Sequence, residues 1–88
     1  MEISDWRIKI DQLDEQIVHL INERAAAAVE IGRIKATQTA PIYEPKREQQ
    51  VYEHIERVNQ GPLTSAELKD IYERLIDVMR AKQKPAQP

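Results

Sequence analysis

The sequence predicts an all-α chain of three helices, one long and two shorter, on three observations. Apolar residues recur at steps of three and four along most of the chain, which is the period of a helix face and not the alternation of a strand. Just two Gly occur in 88 residues, and aromatic residues make up 5% with no Phe, which argues against a strand- and turn-rich β domain. Breaks with Pro fall in two interior stretches, Thr37–Glu44 and Asn59–Pro62, and divide the chain into three helical segments.

The first helix is expected from about residue 5 to about residue 37. Trp6, Ile10, Leu13, Ile17 and Leu20 trace one line, which Ile21, Ala28, Ile31 and Ile34 continue. Ser4 or Asp5 can cap its start, and no Pro intervenes before Pro41. At ~1.5 Å per residue this helix is roughly 45–50 Å long. A compact chain of this size has a radius of gyration near ~12 Å. The helix therefore overhangs its own domain and leaves apolar side chains wet. A second copy packed along the stripe removes that cost, so a homodimer is expected, with Trp6 anchoring its core. The alternative is a free coiled-coil arm.

The second helix is expected over about 45–60. Pro45 suits a first helical turn, and Glu44 sits beside the positive end of the helix dipole. Val51, Ile55 and Val58 form its apolar line before the Gly61-Pro62 break. The third, over about 64–83, has the clearest start signal. Thr64-Ser-Ala-Glu67 fits a capping box, and Leu68, Ile71, Tyr72, Leu75, Ile76 and Met79 supply a buried face. The tail 84–88 is expected to fray. Residues 1–88 together are read as one domain.

Composition excludes several classes. Thirteen Lys/Arg against fifteen Asp/Glu give a net charge of −2, against wholesale binding of nucleic acid or an anionic membrane. No apolar run approaches the ~18 residues of a membrane span, and MEISDWRIKI lacks a signal-peptide layout. Cysteine is absent, which fits a reducing compartment; the cytoplasm is the expected location. His19 and His54 have no ligand-spaced partners and are read as surface residues, so no metal is expected.

The informative anomaly is charge on the apolar lines. Arg24 lies four residues after Leu20 and four before Ala28. Lys35 follows Arg24 by eleven residues, which at 100° per residue returns to within ~20° of the same face. Small Ala28 between them leaves a hollow. Arg47 is in register with Val51, Ile55 and Val58, beside Glu48, and Gln83 continues the line of Tyr72, Ile76 and Met79. Each has a plainer reading. Arg24 can snorkel to an edge, Arg47 with Glu44 or Glu48 can be surface charge, and Gln83 can mark a fraying end. Taken together, three cations aimed at one interior repel unless an anion joins them. A small molecule with two carboxylates satisfies them by paired, charge-assisted hydrogen bonds. Arg7 is seventeen residues, or ~25 Å, from Arg24 along the helix and cannot serve the same pocket. In an antiparallel dimer it reaches the partner's pocket, giving two shared sites. The basic end Arg80-Ala-Lys-Gln-Lys84 is read as a solvated last turn favoured by the helix dipole.

These residues carry a resemblance. Trp6-Arg7-Ile-Lys-Ile-Asp-Gln-Leu-Asp-Glu15, Leu20-Ile-Asn-Glu-Arg24, Glu30-Ile-Gly-Arg-Ile-Lys35, Pro41-Ile-Tyr-Glu-Pro-Lys-Arg-Glu48 and Ile71-Tyr-Glu-Arg-Leu-Ile through Gln83 resemble the all-helical chorismate mutases over nearly all of residues 6 to 83. The resemblance implies an intertwined dimer of three-helix chains that converts chorismate to prephenate without a cofactor. It implies that Arg7 is donated across the dimer and that Arg24 and Arg47 are the two in-chain arginines. Lys35 and Gln83 then bind the ether oxygen, Glu48 binds the substrate hydroxyl, and Glu44 lies beside that hydroxyl. Lys35, Gln83 and Arg24 are the expected catalytic residues. Met79 departs from the pattern, standing where some members place a serine that helps hold a carboxylate.

Two rivals remain at this point. An isochorismate-pyruvate lyase shares the fold and the pocket logic. A non-catalytic helical dimerisation module would use the long helix as a strut. Activation by another shikimate-pathway enzyme is a further expectation open to a chain this short.

Overall fold

The computed structural model describes residues 1–84, folded as three helices: α1 (Ile3–Gln38), α2 (Pro45–Val58) and α3 (Ser65–Gln83). No strand occurs among the described residues. None of the helices is long and apolar enough to cross a membrane. Of the tail expected to fray, Lys84 follows α3 with its N–H bonded to the Ala81 carbonyl at 3.3 Å, and 85–88 lie outside the described residues.

The helix ends show where local chemistry moved the expected boundaries. α1 starts earlier than expected because Glu2, not Ser4 or Asp5, is the N-cap residue. Asp5 acts from inside the helix, its Oδ2 accepting the Glu2 backbone N–H at 2.8 Å. At the other end Thr39 takes a left-handed conformation (φ 51°), and the Ala40 N–H returns to the Lys35 carbonyl at 3.0 Å. Positive φ is costly for a β-branched residue. Thr39 accepts it where the chain reverses to bring the 40–44 loop back over Lys35. α2 stops at Val58, because Asn59 closes the next turn: its Nδ2 donates to the Leu63 carbonyl (2.9 Å) and its Oδ1 accepts from the Gly61 N–H (3.0 Å). Gly61 supplies the positive φ of that turn, 73°. Thr64 is the N-cap of α3. Its Oγ1 accepts from the Glu67 N–H at 3.1 Å, while Glu67 accepts from the Thr64 N–H at 2.9 Å. These bonds from Thr64 hold the Glu67 carboxyl below its ordinary pKa.

α3 packs against both α1 and α2, whereas α1 and α2 do not pack on each other. A close approach falls at Gly32 of α1, where a Cβ would fall within 2.7 Å of the Gln83 Cα and closer still to its carbonyl oxygen. Gly32 thus lets the last turn of α3 lie directly on α1. The buried apolar set is small, comprising Ala28, Ile55, Ile76 and Met79. Val58 and Ile71, expected on buried faces, are exposed. Val58 is the terminal residue of α2, and Ile71 lies on a side of α3 that the other helices leave uncovered. Along the N-terminal half of α1, Trp6, Ile10, Leu13, Ile17, Leu20 and Ile21 are all exposed. The radius of gyration is 16.1 Å and the extents are 54 × 29 × 15 Å, well beyond a compact chain of this length.

Candidate functional site

The space left between α1 and α2, with the C-terminal half of α3 beside it, is a cleft of ≈ 370 Å³. That volume suits a small molecule. α1 contributes Arg24, Ala28, Ile31 and Lys35; α2 contributes Arg47, Glu48 and Val51; α3 contributes Ile76, Met79, Arg80 and Gln83. Ile42 and Glu44 close one end from the α1–α2 loop. Six of the seven candidate residues read from the sequence therefore line one cleft. Arg7 does not; it lies exposed on the N-terminal half of α1, away from this chain's own cleft.

Lys35 is the deepest charge, 8% exposed. It is buried because α1 turns it toward the cleft beneath the returning loop. Its Nζ lies 2.6 Å from Glu44 Oε1, and it donates to Gln83 Oε1 (2.7 Å) and the Ile42 carbonyl (3.0 Å). The three ammonium protons thus match three acceptors, so the buried charge is fully partnered. Gln83, which lines the cleft, presents its carbonyl oxygen to Lys35, so its amide N–H groups remain available as donors. Met79, buried at 3%, lines the wall with a thioether.

Arg24 and Arg47 form no ion pair with a carboxylate among the described residues. Arg24 is half-buried and Arg47 exposed, so Arg47 lines the cleft without being buried alongside Ile55 as its register suggests. The repulsion expected among the cations is partly relieved within the chain, by Glu44 on Lys35 and by Glu48 on a further arginine. Four cationic side chains (Arg24, Lys35, Arg47, Arg80) face two carboxylates (Glu44, Glu48), an excess of two positive charges.

Arg80 corrects the reading of Arg80–Lys84 as a solvated basic end. Its Nε and Nη2 donate to Glu48 Oε2 at 3.1 and 2.5 Å, and it lines the cleft. The hydrogen bond to Glu48 raises its pKa further above the ordinary arginine value. A signal was present, since Arg80 falls three residues before Gln83 and four after Ile76, on the same inward arc. His19 is exposed and pairs with Glu23 at 3.1 Å, away from the cleft.

Fold and cleft together define an all-helical protein with a cation-rich pocket of small-molecule size. Residues 6–84 match the family described as chorismate mutase type II, and the chain belongs to that family. The bifunctional chorismate mutase/prephenate dehydratase of Stutzerimonas stutzeri is 37% identical over 96% of this chain, which spans about a quarter (24%) of that relative's length. The structure of a chorismate mutase from Helicobacter pylori in complex with prephenate superposes with a TM-score of 0.84 at 31% identity, covering 92% of this chain and 88% of the other. Form II of the chorismate mutase from Thermus thermophilus gives a TM-score of 0.90 over 97% of this chain and 98% of that one. At 24% identity, that likeness is one of fold.

Proposed function

We propose that the chain is a chorismate mutase, rearranging chorismate to prephenate by breaking one C–O bond and forming one C–C bond within a single molecule. The observation that carries this reading is the convergence of Arg24, Lys35, Arg47 and Gln83 on one cleft whose lining holds two positive charges in excess. That excess matches a dicarboxylate. The family and the prephenate complex of the Helicobacter pylori relative support it.

Such a rearrangement requires neither a nucleophile nor an obligatory proton transfer. It requires the enolpyruvyl arm to be held over the ring, a task of proximity and orientation. Arg24 and Arg47, on different helices, grip the carboxylates and restrain the arm. As the ether bond breaks, its oxygen gains negative charge. Lys35 and the Gln83 amide, preorganised at that end of the cleft, stabilise this charge more than the ground state. Lys35 has all three donors engaged, so one partner must yield. Glu44, 48% exposed at its side chain, is the least enclosed of them. It gives way to the substrate and turns to the ring hydroxyl that Glu48 also binds.

The active form is a homodimer. A single chain leaves the Trp6–Ile21 stripe wet and buries no large side chain completely among the described residues, so the stripe is the surface a second copy covers. Arg7, ~25 Å along α1 from Arg24, completes the partner's cleft in such a pair. The cysteine-free composition fits a cytoplasmic setting.

Loss of chorismate absorbance with purified protein, with the product identified, tests the reading. Prephenate is the expected product, and no turnover by folded, dimeric protein contradicts it. Isochorismate in a parallel reaction separates the lyase alternative, which would release pyruvate.

A further inference from the structure

We propose that Arg80 is a positioning residue that sets Glu48 to receive the ring hydroxyl of the substrate, an inference resting on the mutase reading above. Two Arg80 donors converge on one oxygen, Oε2 of Glu48. Oε1 of Glu48 has no protein donor among the described residues, and Glu48 lines the cleft. A carboxylate held in this way has one oxygen fixed and the other left as an acceptor, so its rotamer is chosen before substrate arrives.

Arg80 is held in turn from two other directions. Its Nη1 donates to Asp77 Oδ1 at 3.2 Å, and its guanidinium carbon lies 4.9 Å from the Tyr43 ring centroid. Tyr43 belongs to the loop that supplies Ile42 and Glu44 to Lys35. The row Asp77–Arg80–Glu48 therefore braces α2 against α3 beside the cleft, under that loop.

Charge gives the same result. Glu48 alone would meet a dianionic substrate as a like charge. Paired with Arg80 it is neutralised, and without Arg80 the excess positive charge of the lining falls from two to one. Arg80 lets an acidic hydroxyl acceptor stand inside a site built for an anion.

The test is a double-mutant cycle of Arg80→Met and Glu48→Ala, assayed on chorismate and on an analogue lacking the ring hydroxyl. Arg80→Lys serves as the conservative variant, and circular dichroism monitors folding. Arg80→Met is expected to lower kcat/KM for chorismate by about 10- to 100-fold, the range for losing a hydrogen bond to a charged group. The loss should be much smaller for the hydroxyl-free analogue, and it should nearly vanish in the Glu48→Ala background. Arg80→Lys should recover part of it. An Arg80 effect equal on both substrates, or undiminished without Glu48, overturns the role and assigns Arg80 to the carboxylates or to the fold. Active wild type with unaffected Arg80→Met removes the Arg80 role alone. Inactive, folded, dimeric wild type removes the mutase reading, and this role with it.

Discussion

Lys35 is the residue on which the proposed chemistry leans most, because it is the one buried cation among the described residues and in that reading meets the oxygen where charge develops. Its loss should lower kcat by about 10²–10³-fold, as for removal of a preorganised donor. Helical circular dichroism should persist in Lys35→Ala; a near-wild-type rate removes it from the site. Gln83 gives a sharper test. Its amide donates at every pH, so the wild-type rate should change little near neutrality. Gln83→Glu replaces that donor with a carboxylate, which accepts until protonated. Lys35 at 2.7 Å favours the ionised form. The variant should therefore be poor at pH 7 and gain activity only as pH falls through and below the ordinary carboxyl value near ~4.3. A pH–rate profile with no acid gain contradicts the donor role. The placement of Arg24, Lys35 and Gln83 at one cleft was legible in the sequence because each interrupts an apolar line at helical spacing. The pairing of Arg80 with Glu48 was not, since a basic last turn already has a dipole explanation and its partner lies 32 residues away. The Ile42 carbonyl on Lys35 was equally hidden, because the path of a reversing loop leaves no periodic trace.

At the scale of the elements, two contacts decide whether α3 delivers Gln83 and Arg80 to the cleft. The first is the close approach at Gly32. Gly32→Ala gains about 1 kcal/mol in helix propensity but drives a methyl into the Gln83 backbone, an overpacking that costs about 1–3 kcal/mol. The net stability change should be small or negative, while activity falls sharply because the last turn of α3 shifts. Full activity in Gly32→Ala would show that the turn tolerates displacement. The second is the cap. Thr64→Ala should cost about 0.5–2 kcal/mol in a urea titration. The lowered Glu67 pKa adds a pH signature: its contribution is fully present above the unfolded value near ~4.3 and is lost as pH falls through the folded value. Wild type should therefore lose more stability than Glu67→Gln below about pH 4.3; parallel curves contradict the cap. Three helices and the α3 cap were readable from periodicity and the Thr64–Glu67 box. The start of α1 was displaced because Asp5 bonds backward to Glu2, a choice that Ser4 and Asp5 in tandem left open.

For the whole molecule, the length of α1 underlies both the proposed assembly and the proposed catalysis. In the proposed dimer a second copy covers its stripe, and the same overhang carries Arg7 to the partner's cleft. The exposed Trp6–Ile21 line and the remoteness of Arg7 have one cause, a helix of 36 residues in a chain of 88. The overhang was visible in the sequence as a length, while the bridging of α1 and α2 by α3 was not, since helical spacing says nothing of which helices touch. The central claim is that each working cleft draws Arg24 from one chain and Arg7 from the other. Mixing Arg7→Ala with Arg24→Ala protein tests it most directly. Each variant alone should be nearly inactive. After confirmed subunit exchange of equal amounts, half the dimers are mixed and each mixed dimer has one intact cleft, so activity should return to about a quarter of the wild-type level. Exchange with no recovery would contradict a shared cleft.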